Sequence, residues 1–98
     1  MFYLSGKITD VTKEAILKNI QRFNEVEKEL TDRGLEVFNP AKLQSTGKTW
    51  EWYMSIHLKW LYENRPIIYL LENWQDSRGS RLEVAWARRL GLQIIEAL

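Results

Sequence analysis

The apolar positions of this chain fall into seven blocks that alternate between two kinds of spacing. Phe2-Tyr3-Leu4-Ser5 is a short apolar run closed by Gly6, which suits a strand leading into a turn. Ile16, Ile20, Phe23, Val26 and Leu30 then recur at helical spacing between charged positions. They predict a long amphipathic helix that starts after Asp10 or Thr12 as N-cap and stops at Gly34. Leu35-Glu36-Val37-Phe38 reads as a second strand, ended by Asn39-Pro40 because proline has no N–H for a ladder and biases the residue before it away from helix. A polar loop covers 41–48. Thr49 caps the next helix, with Glu51 in its first turn favourable to the helix dipole. Pro66 opens Ile67-Ile68-Tyr69-Leu70-Leu71, the most continuous apolar run in the chain and the mark of a strand buried on both faces. Glu72 to Arg78 form a loop, Gly79 to Leu90 a last helix stopped by Gly91, and Leu92-Gln93-Ile94-Ile95 a final short strand.

Strand and helix alternate from end to end, which predicts an α/β fold: a three-layer, Rossmann-like or flavodoxin-like sandwich on a parallel sheet of about four strands with right-handed crossovers. In such sheets a ligand sits outside the carboxyl ends of the strands, where the strand order reverses. Three loops are selected by that rule: 5–10, 39–48 and 72–79. With 98 residues and no internal repeat or linker, a single domain over 1–98 is expected.

Composition narrows the function classes. Fourteen Lys plus Arg against thirteen Asp plus Glu give no basic field to draw in nucleic acid, which is not expected as a partner. No apolar run approaches the roughly 18 residues of a transmembrane helix, and the first residues have neither the basic region nor the apolar length of a secretory signal, so no membrane partner is expected. The absence of cysteine removes disulfides, thiol catalysis and thiolate metal sites, and makes the reducing cytoplasm the expected compartment. His57 is the only histidine, which excludes a multi-histidine metal site; neither metal nor cofactor is expected.

The third loop, Trp74-Gln75-Asp76-Ser77-Arg78-Gly79-Ser80-Arg81, carries the most chemistry. It enters a helix N-terminus with hydroxyls, a glycine and two arginines, a favourable place for an anion such as phosphate, although a serine that merely caps the helix is the commoner arrangement. On the helix that follows, Leu82, Trp86 and Leu90 form the expected sheet-facing stripe, with Glu83 beside it near the positive end. A carboxylate held there, with its ionised form favoured by the dipole, suits a nucleophile or general base; a side chain turned to solvent is the alternative, and the two are evenly matched. Ser5-Gly6-Lys7 has neither Walker nor dinucleotide-binding spacing. Lys7 either pairs with a phosphate or is a solvated surface lysine, Asn39 either presents its amide to a ligand or forms a turn, and Trp74 stands where it can stack on a base.

Tyr3-Leu4-Ser5-Gly6, Glu36-Val37-Phe38-Asn39-Pro40, Trp50-Glu51-x-Tyr53-Met54 and Ser77-Arg78-Gly79-Ser80-Arg81-Leu82-Glu83-x-Ala85-x-Ala87 together resemble the nucleoside 2-deoxyribosyltransferase superfamily, in a small branch found in bacteria and phages. The likeness spans nearly the whole chain, and 77–87 is its most specific part. It implies cleavage or exchange of the N-glycosidic bond of 2'-deoxynucleosides or their 5'-monophosphates. It also implies Glu83 as catalytic nucleophile, Ser77 as a phosphate or sugar contact, Tyr3 as an orienting aromatic, and Ser5 and Gly6 as the first substrate loop. Members carry an aspartate in the second half of the middle helix, where this chain has His57, and another before the third strand, where it has Pro66. His57 is the candidate for protonating the leaving base.

The expected function is therefore an N-glycosidic-bond enzyme, a deoxyribosyltransferase or a 2'-deoxynucleoside 5'-monophosphate N-glycosidase, with Glu83 and His57 catalytic. Tyr3, Ser5, Gly6, Asn39, Trp74, Ser77 and Gly79 are expected to bind the nucleoside or nucleotide. The loss of both aspartates motivates a second reading, a catalytically silent module that binds or sequesters a nucleotide, in a phage-related setting. Five tryptophans exceed what a small core hides. Trp50, Trp52 and Trp60 share the middle helix, which is apolar on more than one face, and predict a homodimer packed through residues 49–64.

Overall fold

The computed structural model describes residues 1–43 and 48–97. Its elements run β1 (Phe2–Ser5), α1 (Lys13–Asp32), β2 (Val37–Phe38), a 3-10 turn (Pro40–Lys42), α2 (Trp50–Asn64), β3 (Ile67–Leu70), a second 3-10 turn (Trp74–Asp76), α3 (Arg78–Leu90) and β4 (Ile94–Glu96). The four strands make one parallel sheet in the order β2-β1-β3-β4. Phe2 pairs with Val37 on one side and Ile67 on the other, and Ser5 is level with Leu70. The chain steps outward from β1 to β2, then crosses back to β3, so the order reverses between β1 and β3. The carboxyl ends of those two strands, Ser5 and Leu70, open the crevice.

Residues of alternating parity leave each strand on opposite faces, and each face has its own core. Leu4 joins Phe23, Val26 and Leu30 of α1, with Ala41 and Leu71, and Phe2, Val37 and Tyr69 pack against them. On the other face Tyr3, Ile68 and Leu70 meet Leu61 of α2 with Val84 and Ala87 of α3, and Phe38, Trp60 and Ile94 pack around them. The result is the expected three-layer sandwich, α1 below the sheet and α2 with α3 above it. No helix among the described residues is long and apolar enough to cross a membrane.

The caps are those expected at α1 and α2. Thr12 accepts from the Ala15 N–H and Thr49 from the Trp52 N–H, each at 3.1 Å. The loop expected over 41–48 falls partly within a 3-10 turn, and its residues 44–47 lie outside the described ones. The second strand is shorter than its apolar run. Gly34 takes a φ of +81° and the N–H of Leu35 returns to the carbonyl of Leu30 at 3.1 Å, so Leu35 is used to close α1 rather than to extend β2.

The tryptophans distribute differently from the expectation. Trp60 lies against Phe38 (ring centroids 4.3 Å apart) and Tyr3 (5.7 Å), inside the upper core. Trp50 lines the crevice instead of an outer face. Only Trp52 of the three is exposed, so the outer surface of α2 offers Trp52, Ile56 and Tyr62 rather than a wall of indoles. Trp74 packs on the upper core and Trp86 donates its indole N–H to the Leu58 carbonyl at 3.0 Å, tying α3 to α2.

Leu61 is fully buried where α2 meets the sheet, so Leu61→Ala leaves a cavity under both upper helices. A loss of about 2–5 kcal/mol in unfolding free energy is expected, measured by urea denaturation at unchanged m-value.

Candidate functional site

The last helix presents a different face to the sheet from the one its large apolar residues suggest. Ser80, Glu83, Val84 and Ala87 are its buried residues, while Leu82 is 39% exposed and Trp86 only partly covered. The buried stripe is built of small and polar groups, which let the α3 backbone approach the sheet. Glu83 is thus not beside the buried stripe but on it, 5% exposed.

Tyr3 and Ser5, two positions apart on β1, point to the same side of the sheet, toward Glu83. The Tyr3 hydroxyl donates to Glu83 Oε2. The Ser5 hydroxyl lies 2.7 Å from Glu83 Oε1 and 3.0 Å from Ser80 Oγ. A hydroxyl has one proton, so Ser5 donates it to the carboxylate and accepts from the Ser80 hydroxyl. His57, from the middle of α2, stands with Nδ1 3.8 Å from Glu83 Oε2, and its ring packs edge-on against Tyr3 and Phe38. Its Nε2 is buried and has no hydrogen-bond partner among the described residues.

Burial dominates the electrostatics here. It pushes the Glu83 carboxyl up to about 7, against the opposing pull of the hydrogen bonds from Tyr3 and Ser5. The ionised form that the helix dipole favours is thus opposed by burial, which leaves the group poised near neutrality. Burial, joined by the Glu83 charge, drives the Tyr3 phenol well above its ordinary value. Burial also lowers the His57 imidazole, which disfavours its charged form.

Glu83, His57 and Ser80 form one wall of a cleft of about 590 Å³ at the point where the strand order reverses, a size suited to a small-molecule ligand. Its lining is of two kinds. Trp50, Tyr53, Met54, Leu43 and Pro40 are apolar, whereas Lys7, Thr9, Asp76, Ser77 and Arg78 are polar. The Arg78 guanidinium lies 3.9 Å from the centre of the Trp50 ring, bringing the two kinds together. Ser77 both caps α3, accepting from the Ser80 N–H at 3.1 Å, and lines the cleft. Lys7 pairs with Asp10 at 3.5 Å, and Arg81 is turned away, donating to the Gln75 carbonyl at 2.7 Å.

Gly6 and Gly79 line the cleft, and each is closely approached by a neighbour. A Cβ on Gly6 would stand 2.9 Å from Leu71 Cβ and 3.1 Å from Asn73 Oδ1, where the loops after β1 and β3 pass each other. One on Gly79 would meet Met54 Sδ at 3.3 Å, so the glycine admits α2 against the start of α3.

Four expected ligand contacts have other duties. Tyr3 and Ser5 are fully buried and hold Glu83 instead of facing the cleft. Asn39 accepts from the Ala41 N–H at 3.0 Å and donates to Asn24 and Glu27, which makes it a turn residue. Trp74 belongs to the upper core. Trp50, Tyr53, Met54 and Arg78 were not singled out as site residues, although their place was legible: a helix that follows a strand's carboxyl end begins at the crevice, so its first turns face it. Among the described residues no group of three His, Asp or Glu side chains is placed to hold a metal ion.

Residues 1–96 match the family model of a domain of unknown function (DUF4406), and the chain belongs to that family. Among curated proteins and solved structures there is no significant match.

The raised Glu83 carboxyl has a consequence for stability. The folded protein binds a proton more tightly than the unfolded chain, so Glu83 destabilises progressively as pH rises from about 4.5, the unfolded value, through about 7. His57, lowered by burial, acts in the opposite sense below its ordinary value of 6.5. Comparison with Glu83→Gln isolates the carboxyl: relative to the variant, the wild type is expected to lose on the order of 3 kcal/mol between pH 4.5 and 8, measured by chemical denaturation.

Proposed function

We propose that this member of the DUF4406 family is an N-glycosidic-bond enzyme of the nucleoside 2-deoxyribosyltransferase kind, acting on a 2'-deoxynucleoside or its 5'-monophosphate, with Glu83 as nucleophile. The observation that carries the reading is the Glu83 carboxylate itself. It is taken out of water, supported by two hydroxyls from one strand, and set in the wall of a cleft lined by apolar aromatic and cationic polar residues. The resemblance of 77–87 to that superfamily supports the same assignment.

The two kinds of lining fit the two ends of a nucleotide. A base stacks against Trp50 and Tyr53, and a phosphate or sugar hydroxyl meets the first turn of α3, where backbone N–H groups lack intrahelical partners and Arg78 adds positive charge. Between them the anomeric carbon faces Glu83. The carboxylate oxygen forms a bond to that carbon as the carbon–nitrogen bond breaks, and its negative charge offsets the positive charge that develops on the sugar. The bond's electron pair leaves with the base, which takes up a proton from solvent. Water then displaces the carboxylate, or a second base does so, giving hydrolysis or transfer. Tyr3 and Ser5 fix the carboxylate's orientation throughout.

One observation favours a second reading. Both Glu83 oxygens are already engaged and the carboxyl is only half ionised near pH 7, which also fits a module that binds a nucleotide without turning it over.

Incubation with each 2'-deoxynucleoside and each 5'-monophosphate, followed by chromatography for free base, separates the two. Base release is expected, rising with pH through about 7 as Glu83 ionises and falling roughly a thousandfold or more in Glu83→Ala. Thermal stabilisation by a nucleotide with no base released selects the binding module. Equal release by Glu83→Ala rejects the nucleophile.

A further inference from the structure

We propose that the solvent face of α3 is a nucleic-acid docking surface, on which Arg65, Arg81, Arg88 and Arg89 hold the phosphate backbone of a duplex without reading its sequence. The surface lies opposite the buried face of α3 that carries Glu83, and the proposal is independent of the reading of the cleft.

The net charge of +1 that argues against such a partner is an average over two unlike sides of the sheet. On the α1 side charges of both signs are interleaved and matched: Glu14 with Lys18, Arg22 with Glu25 and Glu72, Lys28 with Asp32, and Glu27 with Lys42. The charged residues of α3 are four exposed arginines and the buried Glu83. Of the four, Arg78 covers Trp50 at the cleft. Arg81, Ala85, Arg88 and Arg89 are all exposed and follow i, i+4, i+7, i+8 spacing, so they share one helix face. Arg65, exposed at the C-cap of α2, donates to the Leu90 carbonyl and so stands at the C-terminal end of the same helix. Among the described residues none of Arg65, Arg81, Arg88 and Arg89 is paired with a carboxylate.

Helix stability does not account for this pattern. Positive charge in the last turn offsets the helix dipole, which suits Arg88 and Arg89, but the dipole carries only about half a charge and Arg65 adds a third guanidinium there. Near the N-terminus positive charge opposes the dipole, yet α3 has Arg78 and Arg81 there and no acidic residue in its first turn.

The chemistry of the face selects the partner. Between Arg81 and Arg88 it exposes Leu82 and Ala85 and no aromatic ring, too little apolar surface for the buried core of a protein interface. Single-stranded bases need a stacking platform, which the face also lacks. A duplex backbone needs neither, since its interfaces are polar and positively charged and guanidinium forks match phosphate oxygens. From Arg81 to Arg89 the helix rises about 12 Å, the length of three to four phosphates of one strand. Arg65 and Arg81 are held by the carbonyls of Leu90 and Gln75, which fixes their direction while engaging one N–H group each and leaving the other donors for phosphate.

Fluorescence anisotropy of a labelled mixed-sequence DNA duplex, titrated with the full chain over a series of NaCl concentrations, tests the assignment. A straight plot of log K against log [NaCl] is expected, with a slope of about −3.6 for four phosphate contacts. In Arg88→Ala/Arg89→Ala the slope becomes shallower, about −1.8, and binding weakens at every salt concentration. Lys18→Ala/Lys28→Ala, on the α1 side, binds with unchanged affinity. Circular dichroism checks that both variants are folded; should the arginine variant not fold, the wild-type slope alone decides. No binding at low salt, a wild-type slope shallower than about −2, or equal losses in the two double variants overturns the proposal. Polyglutamate that competes as well as unlabelled duplex assigns the face to an acidic protein, and tighter binding of a single strand assigns it to unpaired bases. Either result overturns the proposal as well.

Discussion

Everything distinctive in this molecule depends on one carboxylate held out of water. Glu83 is nearly buried in the contact between α3 and the sheet, where an ionised group has lost most of its hydration. Among the described residues no lysine or arginine stands within ion-pair distance to offset that loss, and hydroxyls from Tyr3 and Ser5 take that part. Hydroxyl donors soften the penalty without abolishing it, which is why the carboxyl is held near 7 instead of falling to its usual range. A charged partner would have locked the carboxylate ionised; an apolar pocket would have locked it protonated. The intermediate solution leaves its charge responsive to small changes nearby.

That solution requires strand periodicity and helix position to agree. Tyr3 and Ser5 reach the same carboxylate because they are two residues apart on a strand at the centre of the sheet, and β1 is central because β2 and β3 both pair with it. Ser80 and Glu83, three apart on α3, occupy one helix face. The cleft opens where the strand order reverses, bounded by the first turns of α2 and α3. Gly6 and Gly79 keep the parts close, the first by letting two loops pass and the second by admitting Met54.

Much of this was legible in the chain and some of it was not, for identifiable reasons. The alternation of strand and helix, the caps at Thr12 and Thr49 and the location of the crevice follow from local rules that tertiary packing did not override. The buried face of α3 was misread because hydrophobicity points to Leu82, Trp86 and Leu90, whereas close packing selects small residues and leaves Leu82 exposed. Tyr3 and Ser5 were expected as ligand contacts; their complete burial, which no spacing along the chain announces, leaves them bonded to Glu83. The tryptophans carry no directional signal individually, since an indole suits a core, a cleft or a surface equally, and Trp60, Trp50 and Trp52 take one of each. The environment that raises one carboxyl and lowers one imidazole comes from groups on three separate elements, and no spacing along the chain encodes it.

His57 gains its meaning from the same constraint. A charged residue at its position on α2 would act on Glu83 directly and permanently, an aspartate by repulsion and a lysine by attraction. A neutral imidazole does neither until its proton is assigned to one nitrogen. Its Nδ1 stands 3.8 Å from Glu83 Oε2, and its Nε2 is buried without a hydrogen-bond partner among the described residues. Both residues stand in the wall of one cleft, where the charge of Glu83 is set by its burial and by the hydroxyls bonded to it.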